Sequence, residues 1–324
     1  MFRQVNQLSG KGAVNERQIK AVLVALFSVL FWLPPPTPAA AETGSVGALR
    51  AKYQLHQARP PIQSSLPITI EAGQNGGRLR GDVYATLDHP YQRVVDALRQ
   101  GSNWCEIASL HLNVKACTHE TRRDATRLTF YSGRKHYQPP EATRPFIYEF
   151  RVQTYGPGYF RAVLTPDTVA RDTEQNHILV ETIPLGRDRV FLHVRYSFKY
   201  SLWMRLATGS YFATLGRDKT GFSVTGTDRL GRPVRATGIA SAVERNAVRY
   251  YLALQVYFST LGVAEPDRYE RRLSHWFDLT EQYAGQLREI GKVEYLSSKR
   301  RERAQQVRLQ HSLDAASAAP PGRR

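Results

Sequence analysis

The chain has 324 residues, of which 42% are hydrophobic and 23% are charged, and its formal net charge is +17. This composition is typical of a globular protein with a hydrophobic core and excludes a disordered, low-complexity chain. The length would allow two domains, but no long linker divides the middle of the sequence. We therefore expect one main domain with extensions.

The first 41 residues have the pattern of a signal peptide. Basic residues precede a predominantly apolar run at positions 21–33, and Ala39-Ala40-Ala41 offers an Ala-x-Ala cleavage site. The run is shorter than the roughly 20 apolar residues that a membrane-spanning helix needs. We predict cleavage near Ala41 and a periplasmic location. The alternative is an uncleaved inner-membrane anchor formed by residues 21–33.

Cys105 and Cys117 are the two cysteines of the sequence. In an oxidising compartment outside the cytoplasm, two lone cysteines tend to pair. We predict a disulfide between them, which would stabilise the fold by about 3 kcal/mol. Two buried free thiols are the alternative.

The positive charge remains high after removal of residues 1–41. In a cytoplasmic protein it would favour nucleic acid. In an exported protein it favours an anionic membrane surface or other acidic envelope material instead, and no nucleic-acid partner is expected. General solubility is the alternative, because the arginines are spread along the whole chain.

Residues 42–77 have little pattern and are predicted to be an N-terminal extension. We expect a helix over positions 46–57, a short strand over 66–70 and a turn over 73–77.

A strand, a turn and a helix are predicted next. Apolar and polar residues alternate along Arg80–Leu87. Asp88 is suited to cap a helix and Pro90 to occupy its first turn. Gly101 is predicted to end that helix, with Trp104 just beyond it.

Alternating strands follow, separated by turn residues. In each strand the apolar residues share one face, which predicts an antiparallel meander with one buried face. The strands are predicted at positions 110–115, 127–131, 146–153, 160–164, 178–183, 189–199 and 222–227.

Helices dominate the rest of the chain. One is predicted over 201–215, and the strongest over Thr237–Leu261, where apolar residues recur at three- and four-residue steps. Another starts near Asp267 with an aromatic stripe, for which core packing is expected. The basic segment from Lys299 onward is predicted to be a weakly amphipathic helix that leads into a disordered tail over 311–324.

The segment Gly81–Leu87, followed by Pro90, Val94 with Leu98, and Trp104, resembles the opening of the START/SRPBCC (helix-grip) superfamily. The resemblance implies an α+β fold in which a curved antiparallel β-sheet wraps around a long C-terminal helix. It would cover residues 78–262, with extra C-terminal helices over 263–310. The segment 201–227 departs from the simplest family pattern.

The resemblance also implies a hydrophobic ligand, such as a lipid, in a cavity between the sheet and the long helix. A buried tyrosine needs a hydrogen-bond partner, which a ligand oxygen could supply. A filled core without a cavity is the alternative. The candidate ligand-binding residues are Tyr148, Phe150, Leu192, Val194, Tyr196, Phe198, Tyr250, Leu254 and Tyr257, with Leu112, Val114 and Phe130 in a wider set.

No catalytic residue, cofactor or metal site is predicted. His193 and Arg195 fall on the polar phase of their strand, and so do His111, Asn113 and Lys115, which favours exposure to solvent over catalysis.

Three functions are therefore compared. The first is an exported START-like protein that binds a hydrophobic ligand. The second is an envelope interaction or scaffold protein that acts through its basic C-terminal helices. The third is a cyclase- or hydrolase-like enzyme on the same fold, which would require ionisable residues in the cavity.

Overall fold

A computed structural model describes residues 46–58, 68–75, 78–167, 177–199 and 219–318, all of them within the compact unit Gly44–Arg324. The predicted signal peptide and the helix predicted over 201–215 lie outside these residues. Within the described ranges, no helix is long and apolar enough to cross a membrane.

Eight strands form the main sheet and two more form a separate ribbon. The main strands are β1 (Ile68–Asn75), β2 (Arg78–Leu87), β3 (Val114–Thr121), β4 (Thr126–Ser132), β5 (Arg144–Gly156), β6 (Tyr159–Pro166), β7 (His177–Pro184) and β8 (Val190–Lys199). The ribbon consists of β9 (Val224–Thr227) and β10 (Pro233–Arg235). The helices are α1 (Val46–Ala58), α2 (Tyr91–Leu98), α3 (Gly101–Ala108), α4 (Gly238–Ser259), α5 (Asp267–Glu281), α6 (Ala284–Leu287) and α7 (Lys292–Ala318), with a 3₁₀ turn at Pro140–Ala142.

The sheet is antiparallel throughout, in the order β1-β2-β8-β7-β6-β5-β4-β3. In sequence order, the second strand of this sheet, β2, lies next to its last, β8. Their pairing runs from Arg78 opposite Lys199 to Leu87 opposite Val190. The long helix α4 packs against this sheet, mainly on β1, β2 and β8. The predicted fold class, an α+β fold with a curved antiparallel sheet around a long C-terminal helix, is confirmed.

The helix α4 forms over almost the range that its apolar spacing predicts. Val243, Ala247, Leu254 and Phe258 are all buried in it. Burial of such side chains contributes roughly 1.5–3 kcal/mol each for the larger ones. This helix is therefore the centre of the hydrophobic core.

The prediction of one buried sheet face is wrong, because α1 covers part of the opposite face. Leu49 of α1 joins Tyr84, Tyr159, Ile183 and Phe191 in a second apolar cluster. The polar phase of β8 therefore lies under a helix over part of its length and is not open to solvent.

The turn before α2 also differs from its prediction. Pro90 itself is the N-cap residue, and none of the described side chains hydrogen-bonds to the start of the helix. Asp88 is therefore not the cap.

Gly101, predicted to end this helix, instead begins the next helix, α3, which contains Trp104. A Cβ atom at Gly101 would lie 2.4 Å from Cβ of Thr126, so close packing against β4 explains this glycine.

The predicted disulfide is confirmed. Cys105 and Cys117 are bonded, with their Cα atoms 5.0 Å apart. The bond ties α3 to β3, which is an edge strand of the sheet.

The helix α7 covers this edge strand with side-chain amides. Gln306 Oε1 accepts the backbone N–H of Cys117 at 2.9 Å. Gln310 accepts the N–H of His119 and donates to its carbonyl, both at 2.9 Å. An uncovered edge would present unpaired backbone groups to other chains. Because α7 extends to Ala318, residues 311–318 of the predicted disordered tail are helical.

Two lysines are buried where α7 meets β3, and the prediction that one of them, Lys115, is exposed is wrong. Lys115 and Lys299 both contact the Glu302 carboxylate, with N–O distances of 3.0 and 2.8 Å. Lys299 also donates to the backbone carbonyls of His111 and Val114. The carboxylate and the carbonyls supply the partners that allow these charges to be buried.

The aromatic stripe after Asp267 packs in the core, as expected. Tyr269, Leu273, Trp276 and Phe277 are buried. The helix stops at Glu281, however, and the stripe continues in the short helix α6.

Candidate functional site

A cavity of about 500 Å³ lies between α4, the end of the sheet that carries β4 and β5, and the loop after β4. Its walls come from segments far apart in sequence, so it exists only in the folded chain. The lining residues are His111, Asn113, Val114, Phe130, Ser132, Gly133, Arg134, Gln138, Ala142, Thr143, Arg144, Phe146, Tyr148, Tyr196, Asn246 and Tyr250.

Three predicted ligand-binding residues meet in this cavity. Tyr148 comes from β5, Tyr196 from β8 and Tyr250 from α4. The rings of Tyr196 and Tyr250 are 5.9 Å apart, and Tyr148 is 5.0 Å from Phe130. The cavity therefore has an aromatic wall built from three elements.

The other six predicted residues do not line this cavity. Phe150, Leu192, Val194, Leu254 and Tyr257 belong to the main packed core. Phe198 packs in a small cluster with Leu79 and Val243. These six side chains are packed against other apolar residues of the protein. Val114 and Phe130 of the wider set do line the cavity, but Leu112 does not.

His111 lines the cavity, although its sequence pattern predicts an exposed strand face. The residue instead lies in a turn before β3 and is only 3% exposed. Its ring stacks on Tyr250, with centroids 4.9 Å apart. The Asn113 backbone N–H donates to Nδ1 at 3.2 Å, which puts the proton of the neutral ring on Nε2.

The surroundings of His111 keep its imidazole neutral. Burial, followed by the positive charges of Arg249 and Lys299, lowers its pKa well below 6.5, whereas Asn246 acts in the opposite direction. Nε2 is buried and makes no hydrogen bond of normal geometry to the described residues. The cavity wall thus contains a neutral imidazole next to an aromatic ring.

Positive charge is found at the same cavity. Arg134 and Arg144 line it and are exposed. Arg144 lies over the ring of Phe146, 5.3 Å from its centroid. These ionisable groups were not expected in the cavity, where the strand phases predict mostly apolar side chains.

A second group of ionisable residues lies on the opposite sheet face, beneath α1. His193 contacts Asp82 through Nε2 at 2.7 Å and Glu181 through Nδ1 at 2.8 Å. Arg195 donates to Asp82, and Arg161 donates to Glu181, both at 2.6 Å. The prediction that His193 is exposed is wrong, because its ring stacks on Tyr84 in the part of the sheet face that α1 covers.

Opposite charges decide the protonation of this group. Burial alone would lower the pKa of His193, but the hydrogen bonds and charges of Asp82 and Glu181 raise it above 6.5. Burial would raise the pKa of Glu181, but His193, Tyr159 and Arg161 lower it to about 2. The imidazole is therefore a buried cation between two carboxylates.

The cations of the C-terminal helices are largely engaged within the protein. Arg300 pairs with Glu270 at 2.8 Å, Arg303 pairs with Glu106, and Lys299 is buried. These contacts reduce the basic surface that a scaffold function would use.

Across the described ranges, no group of three or more His, Cys, Asp or Glu side chains is placed to hold a metal ion. The hydrogen bonds of His193 and Arg195 make this group an ionic network that joins β2, β7 and β8.

Solved structures of START/SRPBCC type are similar to this chain. Human StAR-related lipid transfer protein 5 is 13% identical, with a TM-score of 0.34 over 66% of this chain and 94% of that protein. Norcoclaurine synthase from Thalictrum flavum, solved with dopamine and hydroxybenzaldehyde, is 8% identical, with a TM-score of 0.30 over 45% and 88%. CalU16 from Micromonospora echinospora is 8% identical, with a TM-score of 0.25 over 66% and 97%.

These likenesses concern the general fold, and the bound molecules named above belong to those proteins. No family model matches the sequence, and no curated protein matches it. The functional inferences below rest on the residues of this chain.

Proposed function

We propose that this is an exported protein that binds a small amphipathic molecule, with an apolar or aromatic body and an oxygen-bearing end. The observation that carries the proposal is the convergence of Tyr148, Tyr196 and Tyr250, from three elements, on one cavity beside His111.

The size and chemistry of the cavity support this ligand class. Its volume of about 500 Å³ lies within the roughly 300–1,000 Å³ that is usual for small-molecule sites. The aromatic rings provide an apolar wall. Arg134, Arg144 and the neutral imidazole of His111 provide donors for a carboxylate, hydroxyl or carbonyl oxygen. A fatty acid or an aromatic acid would match both parts.

Export is supported by two independent features. The first 41 residues have the composition of a leader, and the Cys105–Cys117 disulfide suits an oxidising compartment. An intact mass that corresponds to a start at Glu42, with two hydrogens missing, is the expected result. A mass that retains residues 1–41 would contradict cleavage.

Native mass spectrometry of protein recovered without detergent is the direct test of binding. We expect a stoichiometric adduct, and denaturing extraction should release a molecule with an apolar body and an oxygen-bearing end. An extract that contains only a cationic or fully polar molecule would contradict the proposed ligand class.

A matched pair of variants tests the location of the site, with anilinonaphthalene sulfonate as the probe. Thr143 lines the cavity, whereas Thr154 is exposed on β5 and is not among the cavity residues. Thr143→Trp should fill the cavity and weaken probe binding by about tenfold or more, a change of about 1.4 kcal/mol. Thr154→Trp should bind the probe like the wild type. Equal binding by both variants would place the probe elsewhere and refute this cavity as the site.

A further inference from the structure

The ribbon β9–β10 is an exposed projection with an unusual concentration of apolar side chains. Val224 is 56% exposed, Leu230 is 76% exposed and Val234 is 42% exposed. Every residue of β9 is exposed. Such a group of apolar side chains on a narrow projection is typical of an interaction surface.

The tip of the ribbon is held rigidly by its own side chains. Asp228 accepts the backbone N–H groups of Leu230 and Arg232 at 2.8 and 2.9 Å and pairs with the Arg232 guanidinium at 2.7 Å. Gly231 has a φ of +76°, a conformation that favours glycine. These bonds order the backbone of the turn, so less conformational entropy is lost when Leu230 binds a partner.

The base of the ribbon is fixed to the helix that lines the cavity. Glu244 of α4 accepts the backbone N–H groups of Phe222 and Ser223, at 2.5 and 3.0 Å. A Cβ atom at Gly221 would lie 2.3 Å from Glu244 Oε2, so the glycine permits this close approach. Phe222 is buried, and its ring packs edge-to-face with that of Tyr283.

The ribbon is also basic. Its single acidic residue, Asp228, is used within the turn, and Arg229, Arg232 and Arg235 provide three positive charges. Arg229 is exposed next to Leu230, whereas Arg235 donates to the Phe222 carbonyl. An apolar tip beside exposed arginines is complementary to a bilayer with anionic headgroups, because the leucine can enter the acyl region while the arginines stay at the headgroups.

We propose that the β9–β10 ribbon docks the protein on an anionic lipid bilayer, with Leu230 inserted and Arg229 at the headgroup level. A bilayer fits better than a protein partner because the ribbon is short. A stable protein interface buries about 800 Å² on each partner, which a ribbon with strands of four and three residues does not supply alone.

Vesicle sedimentation tests this proposal with soluble protein recovered from cells that express the full-length chain. The probes are vesicles of phosphatidylcholine alone and of phosphatidylcholine mixed with phosphatidylglycerol. We expect binding to the mixed vesicles that weakens with salt, since the attraction to headgroups is electrostatic. Leu230→Glu should weaken this binding by more than about tenfold, because the apolar side chain proposed to insert into the bilayer is lost.

The control is Val293→Glu, which adds the same charge at another exposed apolar position. Val293 is 84% exposed in the first turn of α7, and this variant should bind far better than Leu230→Glu. Arg229→Gln should weaken binding by about fivefold on the mixed vesicles alone. Equal binding by the two glutamate variants would refute the ribbon as the docking site.

Wild-type protein that fails to bind either vesicle would refute the membrane as the partner and leave a protein partner. The outcome is separate from that of the cavity proposal, because Thr143→Trp should bind vesicles like the wild type.

Discussion

Two histidines of this protein are equally buried, but one imidazole is neutral and the other is positively charged. His111, at the cavity, and His193, beneath α1, are each 3% exposed. Each stacks on a tyrosine, His111 on Tyr250 and His193 on Tyr84. Yet burial and neighbouring cations lower the pKa of His111, whereas two carboxylates raise that of His193 against its burial.

The difference shows that partners, and not depth, decide the charge of a buried imidazole. His111 faces the cations Arg249, Lys299 and Lys115. The carboxylates near these cations, Glu289 and Glu302, pair with the cations themselves. Both ring nitrogens of His193 instead point at carboxylate oxygens. Only the protonated ring can donate to both.

The largest expected effect is that of removing the His193 cation. His193→Ala would leave Asp82 and Glu181 buried with one partner fewer, and breaking a buried ion pair in this way typically destabilises by about 3–5 kcal/mol. Urea unfolding should show this loss. The control is His119→Ala, at a half-buried position on β3, which should lose less than about 1 kcal/mol. Similar losses in the two variants would mean that the network contributes little.

The pH dependence of the two sites should have opposite signs. The raised pKa of His193 means that its stabilisation is fully present below about pH 6.5 and is lost as pH rises through the folded-state value. The lowered pKa of His111 means that it destabilises the fold as pH falls below about 6.5. The free-energy loss caused by His193→Ala should therefore be larger at about pH 5.5 than at about pH 9.

The lowered pKa values of Asp82 and Glu181 set the acid limit of this window. Their stabilisation is present above their unfolded pKa values of about 4 and is lost as pH falls through the folded-state values, which for Glu181 is about 2. If the His193→Ala loss were constant or grew towards high pH, His193 would not be the buried cation described here.

The surroundings of the two histidines also show which parts of the structure the sequence pattern predicts. Apolar alternation along Val190–Lys199 and helical spacing along Gly238–Ser259 were sufficient to predict the sheet and the helix that it surrounds. The same alternation wrongly placed His193 in solvent. Its cover, α1, and its partners, Asp82 and Glu181, come from separate segments, and their meeting depends on strand register.

His111 shows a second limit. Alternation from Leu110 to Lys115 predicted a strand, but the first part of this segment is a turn. Two of the three cations that surround His111, Arg249 and Lys299, come from the distant helices α4 and α7. The three cavity tyrosines were found because a phenol in an apolar wall is chemically conspicuous. The polar cavity residues on the loop after β4 could not be predicted, because a loop has no periodic pattern of apolar and polar residues.

A smaller effect is expected from the hydrogen bond that fixes the His111 ring. His111→Leu would leave the Asn113 backbone N–H without its acceptor, a loss of about 1–3 kcal/mol. His111→Asn can place an amide oxygen near the former Nδ1 position and should lose less. Thermal unfolding of both variants is the measurement. Equal losses would show that the ring is held by packing and not by this bond.

The smallest loss of stability is expected from replacing the tyrosine of either ring stack. The pH dependence of this loss distinguishes the cationic His193 from the neutral His111. The rings of Tyr84 and His193 are nearly parallel, with centroids 4.5 Å apart, and those of Tyr250 and His111 are 4.9 Å apart. A stacked ring contributes about 0.5–1.5 kcal/mol beyond its burial, and a cation beneath the ring adds attraction. Tyr84→Leu should therefore lose less stability above the folded-state pKa of His193 than at about pH 5.5, because the ring that stacks on Tyr84 is then neutral. Tyr250→Leu should show no such decrease over this range, because its partner is neutral throughout. If the two variants responded alike to pH, the stacks would have the same charge, and the contrast between the two histidines would be wrong.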